Sequence, residues 1–406
     1  VIAALLLAFS VFTSIWTEKL WFSSIGYADI FTKLVLTRVG LFIGFGLVMA
    51  LVVGINLAVA FRLRPTFRPR SPEQVSLERY RQVIVPIRRL ALIGLSLLLG
   101  LFAGMSASGQ WRTFLMWWNR EPFGTKDPEF GKDIGFYVFS LPWFHFLVDF
   151  AMTALVLGLL AALLVHYVFG GLRLQSPGDK FTRGARVQIC VLLGLLVLVK
   201  SVDYWLDRFD LTTSTGSLIT GMTYTRDHAV LPSRNILIGI AIICAVLFFI
   251  NVFRNNWLLP GVGIALFALS SVLLGMAWPA AVQRFQVKPN EPDKEAPYIA
   301  NNIKATRAAF GLEDSKVTEY AAKTTLNQAQ LRADAASLPG IRLVDPQQVA
   351  DTFEQLQQVR GYYSVPGVLD VDRYEINGRE RDVVVAAREI NVEGIPDGGN
   401  WANTHT

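Results

Sequence analysis

The sequence predicts an α-helical membrane protein: a seven-helix transmembrane bundle followed by a partial α+β extracytoplasmic domain. Hydrophobic residues make up 52% of the 406 residues and charged residues only 17%, whereas soluble domains are about a quarter charged. The apolar residues are concentrated before about residue 282, and the remainder reads as an ordinary soluble sequence. The apolar part contains runs close to the roughly 20 residues that a helix needs to cross a bilayer. This contrast predicts two domains.

Seven apolar segments are long enough to be transmembrane helices. Helices that are apolar on every face cannot all be covered inside a soluble domain, so lipid is the favoured surrounding. We therefore expect the spans to occupy residues 1–282. Residues 283–406 are expected to begin an extracytoplasmic α+β domain that is truncated at its C-terminus, the chain being a fragment of a longer protein. The predicted spans are 1–17, 36–61, 90–108, 145–169, 187–206, 236–253 and 257–282.

The charges between the spans predict the orientation. The connections 62–89, 170–186 and 254–256 hold 13 Lys or Arg and 3 Asp or Glu, whereas the other connections hold nine of each kind. Cytoplasmic loops carry the excess of Lys and Arg. We therefore expect a multi-pass plasma-membrane protein with a cytoplasmic N-terminus and an extracytoplasmic C-terminal domain; one missed span would reverse that domain. The net charge of +6 reflects topology, and no nucleic-acid partner is expected.

The connection 109–144 is unusually aromatic and predicts a collar at the outer membrane interface. Tryptophan and tyrosine favour the headgroup region, where the ring is half buried and its polar edge stays hydrated. For the amphipathic segment that holds Trp111, Phe114, Leu115 and Trp118, packing on the other outer loops is an equally weighted alternative to lying on the membrane. Pro122, Pro128 and Pro142 are expected to break any long helix here. The proposed collar residues are Trp111, Phe114, Trp118, Phe123, Phe130, Phe136 and Tyr137.

Four ionisable residues within or beside the predicted spans form a candidate intramembrane polar cluster. They are Arg38, Asp149, Lys200 and Asp203. The topology places all four in the outer half of the membrane, and Asp149 and Lys200 come to similar depth, so they are expected to pair. The functional interpretation is a polar cavity open to the outside that guides a solute or lipid. The alternative is structural pairing and snorkelling near the interface.

Two small-residue motifs predict close helix contacts. Gly40 and Gly44, and likewise Gly100 and Gly104, are each separated by three residues within a predicted span. This spacing lets helix backbones approach closely. The contact is expected inside the bundle, with a contact between subunits of a homo-oligomer left open.

Catalytic and metal-binding motifs are absent from the sequence. It contains no G-x-S-x-G, H-E-x-x-H, C-x-x-C or phosphate-binding glycine loop. His145 and His166 lie about 30 Å apart along one predicted helix, so they cannot share a metal, and each is expected at an interface. The segment "DPEFGKD" faintly resembles a calcium loop, but its glycine is one position early, which favours local pairing of its acids with Lys126 and Lys132. No cofactor, metal or catalytic residue is expected.

The C-terminal segment contains two local folding signals and a preceding helix. Asp345 is placed to cap a helix that ends at Gly361. Asn377-Gly378 is a strong hairpin signal, and a two-residue turn sets Arg373 opposite Asp382. Before them, "KEAPYIANNIKATRAAFGL" predicts an amphipathic helix that ends at Gly311.

Six stretches together resemble a known family across most of the chain. They are "FGTKDPEFGKDIGFYVFSLP" at 123–142, "YWLDRFDL" at 204–211, "YTRDHAVLP" at 224–232, "VQRFQVKPNEPDKEAPYIANNIKATRAAFGL" at 282–312, "IRLVDP" at 341–346 and "LDVDRYEINGRERDVVVAAREI" at 369–390. The sequence thereby resembles uncharacterised protein family 0182, large membrane proteins found mainly in actinobacteria. The resemblance implies seven spans, a large extracytoplasmic region and a full length more than twice this chain, with no established activity. Arg226-Asp227-His228 departs from the Asp, aliphatic residue and Asn that the family leads us to expect.

Two functional hypotheses are consistent with these features. The first is a non-enzymatic envelope platform or complex subunit that presents an exported domain, with membrane lipids and envelope proteins as partners. The second is a transporter or lipid-handling protein that uses the outer polar cavity. An enzyme whose active site lies in the C-terminal part outside this sequence is a third, less favoured class.

Overall fold

Helices dominate the part of the chain that the structure describes. The computed structural model describes residues 2–65, 72–173, 180–216, 218–254, 258–319, 327–334, 345–356 and 362–391. The chain divides into two compact units, Val1–Asp314 and Ser315–Thr406. In the first unit the α-helices are α1 (Ile2–Ser24), α2 (Ala28–Arg62), α3 (Pro72–Gly109), α4 (Trp111–Trp118), α5 (Leu141–Val168), α6 (Arg183–Asp210), α7 (Leu231–Phe253), α8 (Leu258–Val272), α9 (Trp278–Val282) and α10 (Glu291–Ala309).

Six helical stretches among the described residues are long and apolar enough to cross a membrane. Each of the last six predicted spans lies within one of these stretches, except that 145–169 and 257–282 each extend one residue beyond it. The first predicted span lies on α1, which is not one of the six. The helices thus suggest a membrane-spanning protein. The six stretches are Ala28–Arg62, Leu77–Gly109, Phe136–Val168, Arg183–Asp210, Arg226–Phe253 and Leu258–Ala309.

The last of these stretches is much longer than a bilayer requires. Leu258–Ala309 contains 52 residues, which at 1.5 Å per residue give about 78 Å of helix along the chain. It is not one regular helix, because Asn290 has non-helical backbone angles (φ −141°, ψ 50°). The division predicted at residue 282 falls inside this stretch, and the two compact units are Val1–Asp314 and Ser315–Thr406. The helix therefore extends well beyond the apolar segment and remains part of the first unit.

Four π-helical turns allow helices to continue through prolines. The turns are Phe136–Ser140, Arg226–Val230, Leu273–Ala277 and Gln283–Val287. In each case a proline is the second residue after the turn: Pro142, Pro232, Pro279 and Pro289. A proline ring collides with the carbonyl four residues earlier in a regular α-helix, and the wider turn relieves that collision. The expectation that Pro142 breaks the helix is therefore wrong, because Phe136–Val168 is continuous.

The long helices pack in chain order around two apolar clusters. α2 contacts α3 and α5, α5 contacts α6, α6 contacts α7, and α7 contacts α8. Met49, Val53 and Leu57 of α2 pack with alanines of α5 in the first cluster. Cys190 of α6 and Phe248 of α7 belong to the second. The small residues let the helix axes approach, and the larger ones fill the space between them.

The predicted glycine motifs behave differently from one another. A methyl group at Gly100 would lie 2.6 Å from the carbonyl oxygen of Gly46, and one at Gly104 would lie 2.5 Å from that of Phe42. These glycines allow α3 to lie directly against the backbone of α2. Gly40 and Gly44 have no other heavy atom within 4 Å of such a methyl group among the described residues, so they face away from the packed helices.

The second unit contains the predicted hairpin. Strands β2 (Asp370–Ile376) and β3 (Arg379–Val385) pair antiparallel, with Arg373 opposite Asp382. The turn residues Asn377 and Gly378 have φ angles of 56° and 73°, the left-handed values that an Asn-Gly turn supplies. The Arg373 guanidinium donates to the Asp382 carboxylate at 3.1 Å. The hairpin and its register are therefore confirmed.

The rest of the second unit is small. Strands β1 (Tyr363–Ser364) and β4 (Glu389–Ile390) pair antiparallel. Helices α11 (Gln328–Asp334) and α12 (Pro346–Leu356) precede them. The backbone N–H of Gln347 donates to the Asp345 carboxylate at 3.0 Å, as expected of a residue that begins a helix. The end predicted at Gly361 lies outside the described residues.

Candidate functional site at the aromatic end of the bundle

The candidate site lies where three connections meet at one end of the first unit. Residues 110–135 contain α4 and connect α3 to α5, residues 211–230 lead into α7, and residues 283–309 continue α9 into α10. Hydrogen bonds and ring contacts join these segments to each other and to the end of α6. We call this region the aromatic end.

Asp127 organises the loop that precedes α5. Its carboxylate accepts hydrogen bonds from the backbone N–H groups of Glu129, Phe130 and Lys132 at 2.8–2.9 Å. The hydroxyl of Tyr137 also donates to it at 2.7 Å. Four donors on one carboxylate fix the loop to the first turn of the following helix.

Asp133 plays the same part at the other side of this loop. Its carboxylate accepts from the backbone N–H groups of Phe123, Gly124 and Gly135 at 2.7–3.0 Å. These donors, with the N–H of Phe123 contributing most, hold the pKa of the Asp133 carboxyl below its ordinary value. The two aspartates thus bind backbone donors rather than pairing mainly with the loop lysines, and their oxygens are occupied without calcium.

Three of the predicted collar residues face the protein interior. The rings of Phe130, Phe136 and Tyr137 surround Phe209 near the end of α6, with centroid separations of 5.0, 5.1 and 6.4 Å. Phe209 is only 3% exposed. These three rings therefore pack within the protein rather than on its surface.

The other predicted collar residues lie on the surface or beside a separate ring cluster. Phe114 packs on Trp143 of α5 with the ring centroids 5.2 Å apart. Trp118 is 65% and Phe123 is 55% exposed, whereas Trp111 is partly buried. The predicted collar is therefore divided into inward-packed rings and outward-facing rings. Only the outward-facing rings are available to lipid or another protein.

Arg226 holds the connection between α6 and α7. Its guanidinium donates to the carbonyl oxygens of Ser214 at 3.0 Å, Thr215 at 2.8 Å and Gly221. One planar cation therefore satisfies three backbone acceptors across the loop. Arg226 is the first residue of the π-helical turn before α7, so these hydrogen bonds hold the loop next to the beginning of that helix.

A set of polar contacts joins this connection to α10. The hydroxyl of Tyr298 donates to the Asp227 carboxylate at 2.7 Å. The Glu295 carboxylate, on a residue only 3% exposed, accepts the backbone N–H of Tyr224 at 3.0 Å. The ring of His228 stacks on that of Tyr224 with centroids 4.2 Å apart. Sequence reasoning missed Glu295 and Tyr298, because nothing local distinguishes them from other residues of a polar helix.

Carboxylates from two connections approach one another here. The pKa of the Glu129 carboxyl is raised by burial and, to a smaller extent, by the charges of Asp227 and Asp127. The charge of Asp227 in the α6–α7 connection therefore acts on Glu129 in the loop before α5. The aromatic end is a region where acidic groups are concentrated and partly shielded from water.

The four predicted intramembrane residues do not form one site. Lys200 forms an ion pair with Asp203 one helical turn along α6. Arg38 is exposed and lies over the ring of Trp111 at 5.1 Å. Asp149 is exposed, and within the described residues it makes no hydrogen bond or ion pair with Lys200 or any other side chain.

A different group of ionisable residues does converge between α5 and α6. His145 Nε2 lies 2.9 Å from Asp210 Oδ2, and Arg234 Nη1 lies 2.6 Å from Asp207 Oδ2. One ligand atom from each of His145, Asp207 and Asp210 lies within 4.8 Å of the others. The predicted fifth span ended at residue 206, so both aspartates were counted as loop residues. Their i, i+3 spacing on α6 was the available signal.

His166 lies at the opposite end of α5 and is buried within the protein. It is only 1% exposed, and its Nε2 lies 2.9 Å from Gln188 Oε1. The Gln188 amide donates to the Asn56 carbonyl oxygen at 2.9 Å. These contacts link α5, α6 and α2 through buried polar groups, which gives His166 a place in the helix packing.

Comparison with known proteins assigns the chain to a family. The whole chain, residues 1–406, matches the model of the Uncharacterised protein family UPF0182. The chain belongs to the UPF0182 family. It is 56% identical over 401 residues to a UPF0182 protein of a Nocardioides species, an alignment that covers 98% of this chain and 40% of that protein. No solved structure matches.

Other UPF0182 relatives give the same proportions. A protein of Streptomyces coelicolor is 47% identical over 411 residues, covering 100% of this chain and 41% of the relative. One of Frankia casuarinae is 49% identical over 402 residues, covering 98% of this chain and 40% of the relative. The chain thus spans about two-fifths of the length of the curated relatives it matches, in agreement with the family resemblance of the sequence.

Proposed function

We propose that this UPF0182 chain is the membrane anchor of a non-enzymatic envelope platform or complex subunit, which presents an exported C-terminal part at the aromatic end. The observation that carries the proposal is the helical stretch Leu258–Ala309. It runs from the apolar bundle into α10, with non-helical backbone angles at Asn290 (φ −141°, ψ 50°), and α10 is attached to the α6–α7 connection through Glu295 and Tyr298. A helix fixed in this way is suited to transmit the position of the bundle to the exported part.

The contacts at the base of α10 support a rigid attachment. Glu295 is buried and accepts a backbone N–H, so its removal leaves a buried donor without a partner, at a cost of about 1–3 kcal/mol. Asn302 donates to the carbonyl oxygen of Thr220 at 2.8 Å, almost two turns further along α10. Contacts spread over several turns restrain both the direction and the rotation of the helix.

The charge distribution supports an extracytoplasmic aromatic end. The connections 18–35, 109–144 and 207–235 carry nine acidic and nine basic residues, whereas 62–89, 170–186 and 254–256 carry three acidic and 13 basic residues. We propose that the protein lies in the plasma membrane with the basic connections in the cytoplasm. Membrane lipids would contact the exposed rings of Trp118 and Phe123, and envelope proteins would contact the exported part.

The transporter or lipid-handling hypothesis has less support. It was motivated by one polar cavity lined by Arg38, Asp149, Lys200 and Asp203. In the described residues Lys200 pairs with Asp203, while Arg38 and Asp149 occupy separate exposed positions. The platform hypothesis needs no such cavity, and for that reason we favour it.

Purification of the full-length protein tests the proposal. The tagged wild type and the variants Glu295→Ala and Asp293→Ala are extracted in mild detergent, and co-purifying proteins and lipids are quantified by mass spectrometry. The platform hypothesis expects specific envelope proteins with the wild type and a several-fold lower recovery with Glu295→Ala. Asp293 is exposed on the same helix, so its variant should behave like the wild type.

Hydrogen exchange of residues 283–309 provides the internal check. Glu295→Ala should accelerate exchange there, because the anchoring acceptor is lost, while membrane insertion is unchanged. The proposal fails if no envelope protein is enriched over an unrelated tagged membrane protein. It also fails if α10 is released but the recovery of partners stays the same.

A further inference from the structure

His145, Asp207 and Asp210 form a compact set of metal-ligating groups. One nitrogen or oxygen atom from each lies within 4.8 Å of the others. His145 is on the second turn of α5, and the two aspartates are on the last turn of α6. We propose that these three residues bind a divalent transition-metal cation, best matched by Zn²⁺, which joins α5 to α6 at the aromatic end.

The geometry is close to that of a zinc site. Zinc binds imidazole nitrogen and carboxylate oxygen at about 2.0–2.2 Å, so two ligands in a tetrahedral site lie about 3.4 Å apart. The present atoms need to approach one another by at most about 1.4 Å, which rotations of the carboxylates provide. Three protein ligands leave a fourth position for water.

The surroundings of the His145 ring are a second observation. Its Nε2 atom is buried and meets no hydrogen-bond partner among the described residues, and its charged neighbour is Asp210 Oδ2 at the ion-pair distance of 2.9 Å. A cation bound by both residues would replace this direct pair and satisfy the buried ring nitrogen.

The surrounding charges leave room for a cation. Asp203 is paired with Lys200, and Asp207 accepts from Arg234 through Oδ2, which leaves its other oxygen for a metal. A hydrogen-bonded second oxygen is the usual condition of a carboxylate that ligates a metal. Among the described residues, Asp210 forms an ion pair with His145, so two of the three aspartates in this group are paired with the permanent cations Lys200 and Arg234.

The donor set selects the type of metal. Ca²⁺ and Mg²⁺ prefer oxygen ligands, and an imidazole nitrogen suits Zn²⁺ and its transition-metal neighbours. The side chains of His145 and Asp210 are 24% and 44% exposed, so the protein does not enclose the site completely. The role assigned to the ion is structural, because it would link two helices next to the loop that Asp127 organises.

The test uses the whole chain in mild detergent after treatment with a chelator. Titration with ZnCl₂ by calorimetry should show one site per chain, and an excess of CaCl₂ or MgCl₂ should not compete. His145→Gln and Asp210→Asn should each lower the affinity for Zn²⁺ at least about tenfold. Zn²⁺ should also raise the unfolding temperature of the wild type but not of these variants.

Two matched variants serve as controls. Asp149→Asn removes a carboxylate one turn further along α5, and His228→Gln removes another histidine of the aromatic end. Both should bind Zn²⁺ like the wild type. The proposal is overturned if the folded wild type binds no Zn²⁺, or if Asp149→Asn or His228→Gln loses as much affinity as His145→Gln.

A measurement on the wild type covers the case in which the ligand variants do not fold. X-ray absorption of the zinc-loaded protein should show one imidazole and oxygen ligands. The chain contains only four histidines, and His166 is buried at the opposite end of α5. A zinc coordination shell without imidazole would overturn the assignment of His145.

Discussion

Alanine substitution of glycines on α2 and α3 tests the packing of these two helices. We expect Gly100→Ala and Gly104→Ala to destabilise the protein, and we expect Gly40→Ala and Gly44→Ala not to do so. All four are glycine-to-alanine changes within long apolar helices, so the change in helix propensity is similar for each. What differs is the space that the structure leaves for the new methyl group.

The magnitude can be worked out from the distances. At Gly100 the methyl group would lie 2.6 Å from the Gly46 carbonyl oxygen and 2.9 Å from the Ala50 side chain, and at Gly104 it would lie 2.5 Å from the Phe42 oxygen. A normal contact is about 3.4 Å, and backbone oxygens cannot rotate away. The helices must therefore separate by several tenths of an ångström, which costs about 1–3 kcal/mol.

The opposing term is the helix propensity of alanine. It favours every variant by up to about 1 kcal/mol, and it is the only expected effect at Gly40 and Gly44, where the methyl group meets no described atom within 4 Å. Comparing the Gly100 and Gly104 variants with the Gly40 and Gly44 variants cancels the contribution of helix propensity. Gly100→Ala and Gly104→Ala should therefore be less stable than the control pair by about 1–3 kcal/mol.

Reversible denaturation in one detergent provides the assay, with light scattering to show that all variants keep the same mass. Tryptophan fluorescence reports unfolding, since Trp143, which packs on Phe114, lies in the same unit as α2 and α3. Equal stabilities for the four variants, within about 0.5 kcal/mol, would refute the close contact between α2 and α3.

Two further predictions concern orientation and pH dependence. In intact cells, an impermeant thiol reagent should label Lys126→Cys and not Lys180→Cys; both positions are exposed and both native cysteines are buried, so the reverse result would overturn the proposed orientation. Glu129→Gln should stabilise the protein at neutral pH, because the raised pKa of Glu129 means that its ionised form is disfavoured on folding. In the wild type, the contribution of Glu129 to the free energy of unfolding is fully present below the ordinary carboxyl pKa. This contribution is lost as the pH rises through the raised pKa of the folded state. The advantage of Glu129→Gln should therefore disappear in acid, and an advantage independent of pH would contradict this assignment.

Local sequence signals predicted the helices and the hairpin well. A run of apolar residues determines a long helix by itself, and Asn377-Gly378 fixes a turn whose register then places Arg373 opposite Asp382. The helix predicted to end at Gly311 is α10, and this glycine has a φ of 65° as a helix-ending residue requires. These features depend on a few neighbouring residues, so no tertiary information was needed.

The candidate site depended on information that the sequence does not hold locally. Depth along a helix was used to pair Asp149 with Lys200, but depth gives no rotation about the helix axis. In the structure Lys200 meets Asp203 on its own helix. Likewise, aromatic composition predicted rings near the interface without distinguishing Trp118, which is exposed, from Phe136, which packs on Phe209.

The prolines show where tertiary structure overrides the local rule that proline interrupts a helix. Pro142 was expected, with Pro122 and Pro128, to break any long helix in its connection, since proline lacks an N–H and its ring crowds the preceding turn. The chain widens that turn instead, and it does so before Pro232, Pro279 and Pro289 as well. A π-helical turn gives up regular hydrogen bonding, so it is retained where the packing on both sides keeps the helix in place.

The aromatic end brings together four of the six stretches by which the sequence resembles its family. Residues 123–142 pack on Phe209 of the stretch 204–211, and residues 224–232 bind the stretch 282–312 through Glu295 and Tyr298. Apolar helix faces accept many side chains of similar volume, whereas a carboxylate that receives particular backbone donors accepts few replacements. Stretches that are recognisable as belonging to a family are therefore expected where polar and aromatic contacts are specific. Function is accordingly best sought at this end of the bundle, where the anchored helix and the three metal-ligating residues also lie.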